Sequence, residues 1–307
     1  MEPAFPTVTA HPALAHTTPD SPMAAPASGY TSLQECLNCG HTVPDRFCGR
    51  CGQDAHHTHR LTMTDMLHDI PHSIWHVDKG ILFTLKTMVF RPGLTIREYL
   101  AGKRVDHFRP LALLFMITGF YALLSSVLHI QLLPPKDPAM PEAVWQMQQQ
   151  STTFFAKYMS WCYVAMVPVW ALFARLFLKR GGFNYAECLI IAAFITAVSN
   201  FFSVLYLPVL YYYNGTPQIQ TATLVYGGFA FAYASWAYST LLTHTPIRLA
   251  GRLWRGFMTF ILGYLTCILV ITVLTYALNW SMFKASMKAQ MQQQAKAQQS
   301  ATPPKSR

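Results

Sequence analysis

Charged side chains are scarce in this sequence. Only 12% of the 307 residues are Asp, Glu, Lys or Arg, whereas 52% are hydrophobic. Ordinary soluble domains carry about 25% charged residues, so this composition argues against that class of protein. Four stretches contain no charged residue at all: 110–133, 188–213, 222–242 and 257–280. A fifth, 158–178, contains only Arg175, near its end.

Each of these five stretches has roughly the 20 residues that a helix needs to cross about 30 Å of hydrocarbon. A very large soluble helical core is the alternative, but it would not require uninterrupted apolar runs of this length. The sequence therefore predicts an all-α polytopic membrane protein with about five transmembrane helices, contained in a domain at 110–280.

A cleavable secretion signal is also missing from the pattern. Residues 1–30 contain several prolines but no Lys, no Arg and no long apolar run. A signal peptide needs a basic region followed by an apolar one. We expect residues 1–30 to form a disordered tail and the first membrane segment to act as the targeting signal. Residues 281–307 are predicted to form a second, polar tail rich in Gln and Lys.

Catalytic groups are sparse too. Glu187 is the only acidic residue after Glu142, and we find no Ser/His/Asp set, zinc-protease motif, carboxylate pair or phosphate-binding glycine loop. The sequence offers few side chains that could act as a general acid or base, so we do not expect the protein to be an enzyme. Ser199, Asn200 and Ser203 are the main polar group inside a predicted span. They could line a small solute site or make hydrogen bonds between helices.

Basic residues are concentrated between the apolar stretches and indicate an orientation. They precede the first stretch, and Lys179 and Arg180 follow the second; Arg248, Arg252 and Arg255 separate the fourth from the fifth. Positive charges near membrane segments favour the cytoplasmic side. This pattern predicts a cytoplasmic N-terminus and, with five spans, an external C-terminus, although the basic residues after Trp280 run against the second prediction.

Four cysteines precede this membrane domain in a predicted ribbon at residues 31–59. Cys36, Cys39, Cys48 and Cys51 form two C-x2-C pairs separated by eight residues. Thiols stay reduced in the cytoplasm, which favours metal binding over disulfides, and two such pairs can supply four thiolates to one tetrahedral Zn²⁺. Gly40 and Gly52 directly follow the pairs, where a tight turn favours positive φ. A thioredoxin-type redox pair is the alternative, but it requires a βαβ context that is absent here.

The predicted zinc site is structural. Some twenty residues cannot bury a core large enough to offset the entropy of ordering them, whereas a structural zinc site contributes about 10–16 kcal/mol. Four protein thiolates leave no coordination position open for water, so hydrolytic chemistry is not expected.

Residues 60–109 read as an amphipathic, basic juxtamembrane region. Ile81, Leu85 and Met88 recur at helical spacing, Arg91-Pro92-Gly93 stops that helix, and Thr95 is predicted to cap a second one that ends before Gly102. The helices either lie on anionic headgroups or pack on the ends of the spans. The candidate headgroup contacts are Arg97, Lys103, Arg104 and Arg109.

Histidines are frequent in the same region. His68, His72 and His76 could share one helical face as a metal site or pH sensor, but Pro71 interrupts such a helix. Solvated histidines are the simpler interpretation.

The ordered combination of these motifs resembles an uncharacterised bacterial membrane family with an N-terminal zinc ribbon, catalogued as domain of unknown function 3667. The resemblance covers residues 36–110 and implies a bacterial inner-membrane protein with a cytoplasmic zinc ribbon, without implying a reaction. It rests on Cys36-x-Asn38-Cys39-Gly40, Phe47-Cys48-x-x-Cys51-Gly52-Gln53, Arg91-Pro92-Gly93, Ile96-Arg97-Glu98-Tyr99, Gly102-Lys103-Arg104 and Arg109-Pro110.

The function predicted from the sequence is non-enzymatic. The ribbon would dock or regulate an unknown protein partner while the helices hold it in the lipid bilayer, with anionic lipid as a possible second partner. The alternative is a small-solute transporter or channel with the ribbon as a cytoplasmic gate. We do not expect nucleic acid as a partner, because the ribbon carries only Arg46 and Arg50 against Glu35, Asp45 and Asp54.

Overall fold

We describe the fold from a computed structural model of the chain. It describes residues 34–55, 61–63, 80–130 and 142–278, with scattered positions within 132–140 and 280–292. The predicted tail at 1–30, His68, His72 and His76, and most of the predicted tail at 281–307 lie outside the described residues.

The cysteine-rich segment forms a small ribbon. Strand β1 (Gln34–Glu35) pairs antiparallel with β2 (Thr42–Val43), so that Gln34 faces Val43 and Glu35 faces Thr42. A single antiparallel bridge between Phe47 and Asp54 repeats this arrangement around the second cysteine pair.

Two short helices follow, separated by one residue. Helix α1 (Gly80–Phe90) ends at Phe90, and α2 (Pro92–Leu100) begins with Pro92 in its first turn. The prediction that Thr95 caps α2 is wrong. Proline fixes φ at a helical value and needs no N–H partner in the first turn, so the helix starts at Pro92. Thr95 is buried, and its hydroxyl donates to the carbonyl of Arg91.

The remaining described chain forms five long helices. They are α3 (Pro110–Val127), α4 (Glu142–Phe177), α5 (Tyr185–Tyr212), α6 (Ile219–Thr240) and α7 (Leu249–Leu278). Each overlaps one of the five apolar stretches. Two bounds differ clearly: α4 begins well before residue 158, so much of the predicted first external loop is helical, and α7 begins before residue 257.

The helices alternate in direction. The side chain of Asn214, just after α5, donates to the carbonyl of His129, just after α3, so these two helices end on the same side. Tyr206 of α5 bonds to Ala222 near the start of α6, whereas Tyr233 lies against Phe202, earlier in α5. Phe231 of α6 packs on Phe257 and Phe260 of α7. Together these contacts describe an up-and-down arrangement of α5, α6 and α7, with α3 parallel to α5.

Helix α5 lies at the centre of the packing. It contacts α3, α4 and α6, and much of its surface is buried. Asn200 in α5 donates to the Thr118 hydroxyl in α3 at 2.7 Å, and the Ser203 hydroxyl bonds to that of Tyr226 in α6. These polar side chains therefore form the interhelical hydrogen bonds that the sequence left open as one of two readings.

Within the described residues, three helices are long and apolar enough to cross a membrane: α3, α5 and the Leu249–Leu274 part of α7. The apolar part of α4, Trp161–Phe177, is shorter. Helix α6 is not among the three because it is rich in Tyr, Gly, Ser and Thr. The structure thus has the character of a helical membrane protein, and a count of five crossings stays a prediction.

Candidate metal centre

The two cysteine pairs adopt the same local backbone geometry. The N–H of Gly40 donates to the carbonyl of Cys36 at 2.8 Å, and the N–H of Gly52 donates to that of Cys48 at 2.8 Å. In the same way, the N–H groups of the two leading cysteines bond to the carbonyls of His41 and Gln53 at 2.9 Å. The ribbon is therefore built from two equivalent turns.

The glycines make these turns possible. Gly40 has φ +71° and Gly52 has φ +77°, in the left-handed region that residues with a Cβ adopt at a cost. No atom lies within 4 Å of where a Cβ would stand on either residue. The requirement for glycine is therefore one of backbone conformation and not of space.

The turns bring four sulfur atoms together. Cys36 Sγ lies 3.5 Å from Cys51 Sγ, Cys39 Sγ lies 3.5 Å from Cys48 Sγ, and all four lie within 4.8 Å of one another. A tetrahedral zinc site with Zn–S bonds of about 2.3 Å has sulfur–sulfur edges of about 3.8 Å. The cluster therefore fits a tetrahedral metal ion of this size with only small adjustments.

The thiols differ in acidity. The backbone N–H of Cys51 is the largest cause that lowers the pKa of the Cys48 thiol, to about 6. Burial raises the pKa of Cys51 to about 12. One sulfur is thus prepared as a thiolate at neutral pH, and a bound cation would favour ionisation of the others because metals bind thiolates and not thiols.

No second cluster of this kind is seen in the part of the chain that the structure describes. There, no other group of three or more His, Cys, Asp or Glu side chains lies close enough to share an ion. The remaining cysteines, Cys162, Cys188 and Cys267, lie in three different helices. Glu187, noted as the only acidic residue after Glu142, accepts the N–H of Asn184 in the capping box that starts α5.

A contact that the sequence did not reveal fixes the ribbon on the juxtamembrane helices. The side-chain amide of Gln53 donates to the carbonyl of Gly102 at 2.8 Å, and its oxygen accepts the N–H of Arg104 at 3.3 Å. Gln53 is only 5% exposed. The Gln53 side chain thus makes hydrogen bonds to one backbone carbonyl and one backbone N–H of the turn after α2, two groups that would otherwise lack these partners.

This turn is shaped to receive the ribbon. The N–H groups of Gly102 and Lys103 bond to the carbonyls of Tyr99 and Glu98, which is the Schellman arrangement at a helix end. Gly102 has φ +102°, and a Cβ there would stand 2.7 Å from the side chain of Leu37. Gly102 therefore ends α2 and also leaves room for the ribbon.

Arg97 bonds to the protein itself. Its guanidinium donates to the carbonyl of Thr240 at 3.0 Å, to that of Leu241 at 3.3 Å and to the Thr243 hydroxyl at 2.7 Å. These groups lie at the carboxyl end of α6, where a cation is favoured by the helix dipole. Desolvation by burial lowers the pKa of Arg97.

The other candidate headgroup residues are placed differently. Lys103 forms an ion pair with Glu98 at 3.2 Å, and the Arg104 guanidinium lies 5.8 Å from the centre of the Tyr99 ring. The exposed ion pair of Lys103 with Glu98 is weak, since such pairs contribute about 0–1 kcal/mol. Contact of Lys103, Arg104 and Arg109 with lipid stays a prediction.

The juxtamembrane helices are also the part of the chain that matches a known family. The sequence model of a family described as "protein of unknown function (DUF3667)" matches residues 78–122. The match covers α1, α2 and the first part of α3, and the four cysteines lie outside it. It confirms the resemblance to this domain over those residues. No curated protein and no solved structure is significantly similar to the chain.

Proposed function

We propose that this chain is a non-enzymatic protein of the bacterial inner membrane whose cytoplasmic ribbon binds a structural zinc ion and docks a protein partner. Five helices would hold it in the bilayer with the N-terminus in the cytoplasm. The observation that supports this proposal best is the closed four-sulfur cluster, seated through Gln53 on the juxtamembrane helices.

Zinc is the metal that fits the donor set best. Soft thiolates disfavour Mg²⁺ and Ca²⁺, which prefer oxygen, and four sulfur donors in a tetrahedral arrangement are typical of structural zinc or of iron. Zinc would supply folding energy to a segment whose buried apolar cluster is limited to a few small residues, Cys36, Val43, Cys48 and Ala55 among them.

The ribbon presents an apolar group for a partner. Phe47 is 56% exposed, and the Arg46 guanidinium lies 5.2 Å from its ring centre. Exposed aromatic rings beside arginine are common at the centres of protein interfaces. Arg46 is itself paired with Asp54 at 3.0 Å, which weakens the ribbon as a phosphate-binding surface for nucleic acid.

Site-specific crosslinking tests the docking role. A photoreactive amino acid at position 47, in membranes from the native host, should give a discrete adduct that disappears after Cys36→Ser unfolds the ribbon. The same label at Tyr212, exposed at the far end of α5, is the matched control. Adducts at 212 of the same mass, or an adduct at 47 that persists without the ribbon fold, would contradict docking through the ribbon.

A transporter or channel gated by the ribbon is the weaker alternative. Asn200 and Ser203, two of the polar side chains that were candidates for a solute site, bond instead to side chains of neighbouring helices. Purified protein in liposomes should therefore give no saturable flux in a screen of small solutes. Robust flux that depends on the protein would replace the docking proposal.

A further inference from the structure

A cleft of about 610 Å³ opens beside the carboxyl end of α4. It combines two basic side chains, an apolar surface and the loop that leads into α5. The lining residues are Leu172, Arg175, Leu176, Lys179, Gly182, Phe183 and Asn184.

The helical part of this lining forms one face. Leu172, Arg175, Leu176 and Lys179 are spaced i, i+3, i+4 and i+7, which places them on the same side of α4 and its terminal turn. Leu172 and Leu176 are each 57% exposed. A strip of uncovered leucine thus runs directly into a pair of cations.

The charge in the cleft has one sign. Its described lining contains Arg175 and Lys179 but no carboxylate. A neighbouring cleft of about 400 Å³ shares Gly182 and Phe183 but includes the Glu187 side chain beside Arg97 and His244. An anion is therefore favoured in the first cleft and opposed by a carboxylate in the second.

We propose that the first cleft is a binding site for an anionic phospholipid. Arg175 and Lys179 would hold the phosphodiester of the headgroup, and the acyl chains would lie along Leu172 and Leu176. Basic pockets between membrane helices on the cytoplasmic side recognise anionic headgroups by this combination of charge and apolar surface.

A soluble phosphate compound shares the headgroup chemistry but not the rest. It would contact the two cations but has no apolar part to lie along Leu172 and Leu176. In a lipid complex the same leucines contact acyl chains. The lipid is therefore the ligand that accounts for both halves of the cleft.

Native mass spectrometry of the full-length protein tests the proposal. Protein reconstituted with equal amounts of phosphatidylglycerol and phosphatidylcholine should retain phosphatidylglycerol after detergent exchange. R175Q/K179Q should lower this retention by about thirtyfold, because two basic residues near an anionic surface contribute about 1 kcal/mol each. Soluble glycerol phosphate, added in excess, should not displace the lipid.

A matched variant separates the cleft from general charge. R180Q/R248Q removes the same charge from two exposed positions outside the cleft and should leave lipid retention unchanged. Equal losses in both variants, or displacement by glycerol phosphate, would overturn the proposal.

A measurement on the unaltered chain guards against misfolding of the variant. Phosphatidylglycerol with a photoreactive headgroup should label the peptide that contains residues 172–184. Labelling that avoids this peptide would overturn the proposal even if R175Q/K179Q cannot be purified.

Discussion

The Gln53 side chain is the residue that joins the ribbon to the membrane helices. Its amide bonds both to the carbonyl of Gly102 and to the N–H of Arg104, and it is buried there. A buried side chain that serves two backbone groups is difficult to replace, because its removal leaves both of them without a partner.

Gln53→Ala should release the ribbon without destroying it. The loss of two buried hydrogen bonds should cost about 1–3 kcal/mol of the docking free energy. Hydrogen exchange in nanodiscs should then become faster at residues 99–104, while the zinc content of the protein stays constant. Thr42→Ala, at an exposed position of β2, is the control. Equal protection of residues 99–104 in all three proteins would show that Gln53 does not hold the ribbon.

Cys48→Ser with Cys51→Ser should abolish metal binding. The pair removes half of the ligands, and a hydroxyl is a poor substitute for a thiolate on zinc. Elemental analysis should find about one zinc per chain in the intact protein and none in the variant. Cys162→Ser, at a cysteine in α4 away from the cluster, should keep the metal. Absence of zinc from the intact protein would remove the basis of the ribbon proposal.

His107 should make the protein sensitive to mild acid. Its ring lies 5.4 Å from that of Phe83 and 6.3 Å from that of Tyr99, and its Nδ1 is buried without a partner among the described residues. Burial lowers the pKa of His107, against the opposing charges of Glu98 and Asp106.

The sign of the effect follows from this shift. In the unfolded chain the His107 side chain has a pKa of about 6.5, whereas in the folded chain its pKa is lower. Below about pH 6.5 the unfolded chain therefore binds a proton that the folded chain does not bind, and the free energy of unfolding falls as the pH drops. His107→Phe should lose this part of the pH dependence between about pH 7.5 and 5.5, measured as the change in Tm. His41→Gln, exposed on the ribbon, should retain it. Identical pH profiles for His107→Phe and the intact protein would contradict the prediction.

The sequence was a good guide to residues whose contacts are local and a poor guide to the others. The clustering of the four cysteines could be predicted because the spacing within each C-x2-C pair alone defines a turn that brings two sulfur atoms together. Gln53 and Arg97 could not, because their partners lie 49 and 143 residues away. In the sequence, an arginine that contacts a lipid headgroup looks the same as one that binds the carbonyls at the end of another helix. Only the tertiary structure distinguishes the two.

At the scale of elements, α2 is fixed against the end of α6. Arg97 binds the carbonyls that α6 leaves without helical partners. A Cβ on Gly93 would stand 2.5 Å from the carbonyl of Thr240, so the two helices approach at backbone distance. The Tyr233 hydroxyl also donates to the carbonyl of Met88 in α1 at 2.8 Å. The juxtamembrane helices are thus packed on the bundle, whatever their contact with lipid.

Arg97→Gln should therefore destabilise the protein. It removes the cation from the carboxyl end of α6, an interaction worth up to about 2 kcal/mol in partly buried positions. The Tm in detergent should fall relative to Arg91→Gln, which removes an exposed charge six residues earlier, just before α2. Unchanged stability of Arg97→Gln would indicate that the bond network at Thr240–Thr243 is not important for the fold.

The lipid role of the remaining basic residues is tested separately. Lys103, Arg104 and Arg109 changed together to Gln should preserve zinc content and make the ribbon more accessible to protease in anionic nanodiscs. The effect should be small, because about 1 kcal/mol per residue is further reduced by salt screening. Equal cleavage rates for this variant and the intact protein, in anionic and in neutral lipid, would show that these residues do not bind the membrane.

For the whole molecule, the direction of the helices bears on the number of crossings. Helices α3 and α5 run the same way, so the chain must return between them, and α4 is the helix available for that return. Its 36 residues span about 54 Å, more than the thickness of the hydrocarbon. Helix α6 returns between α5 and α7 in the same way. In α6, the buried Tyr233, Tyr238 and Ser239 lower the mean hydropathy of the helix although they do not face lipid.

The directions of the helices predict a specific topology. If α3, α5 and α7 cross the membrane, α4 and α6 cross it too, and the loops at 213–218 and 241–248 lie on opposite sides. In a background without the three helix cysteines, Gln218→Cys should react with an impermeant maleimide added to intact spheroplasts, and Arg248→Cys should react only after permeabilisation. Both positions are exposed, so burial does not confound the labelling. Labelling of both on the same side would mean that α6 does not cross, and the reverse pattern would place the ribbon outside the cytoplasm.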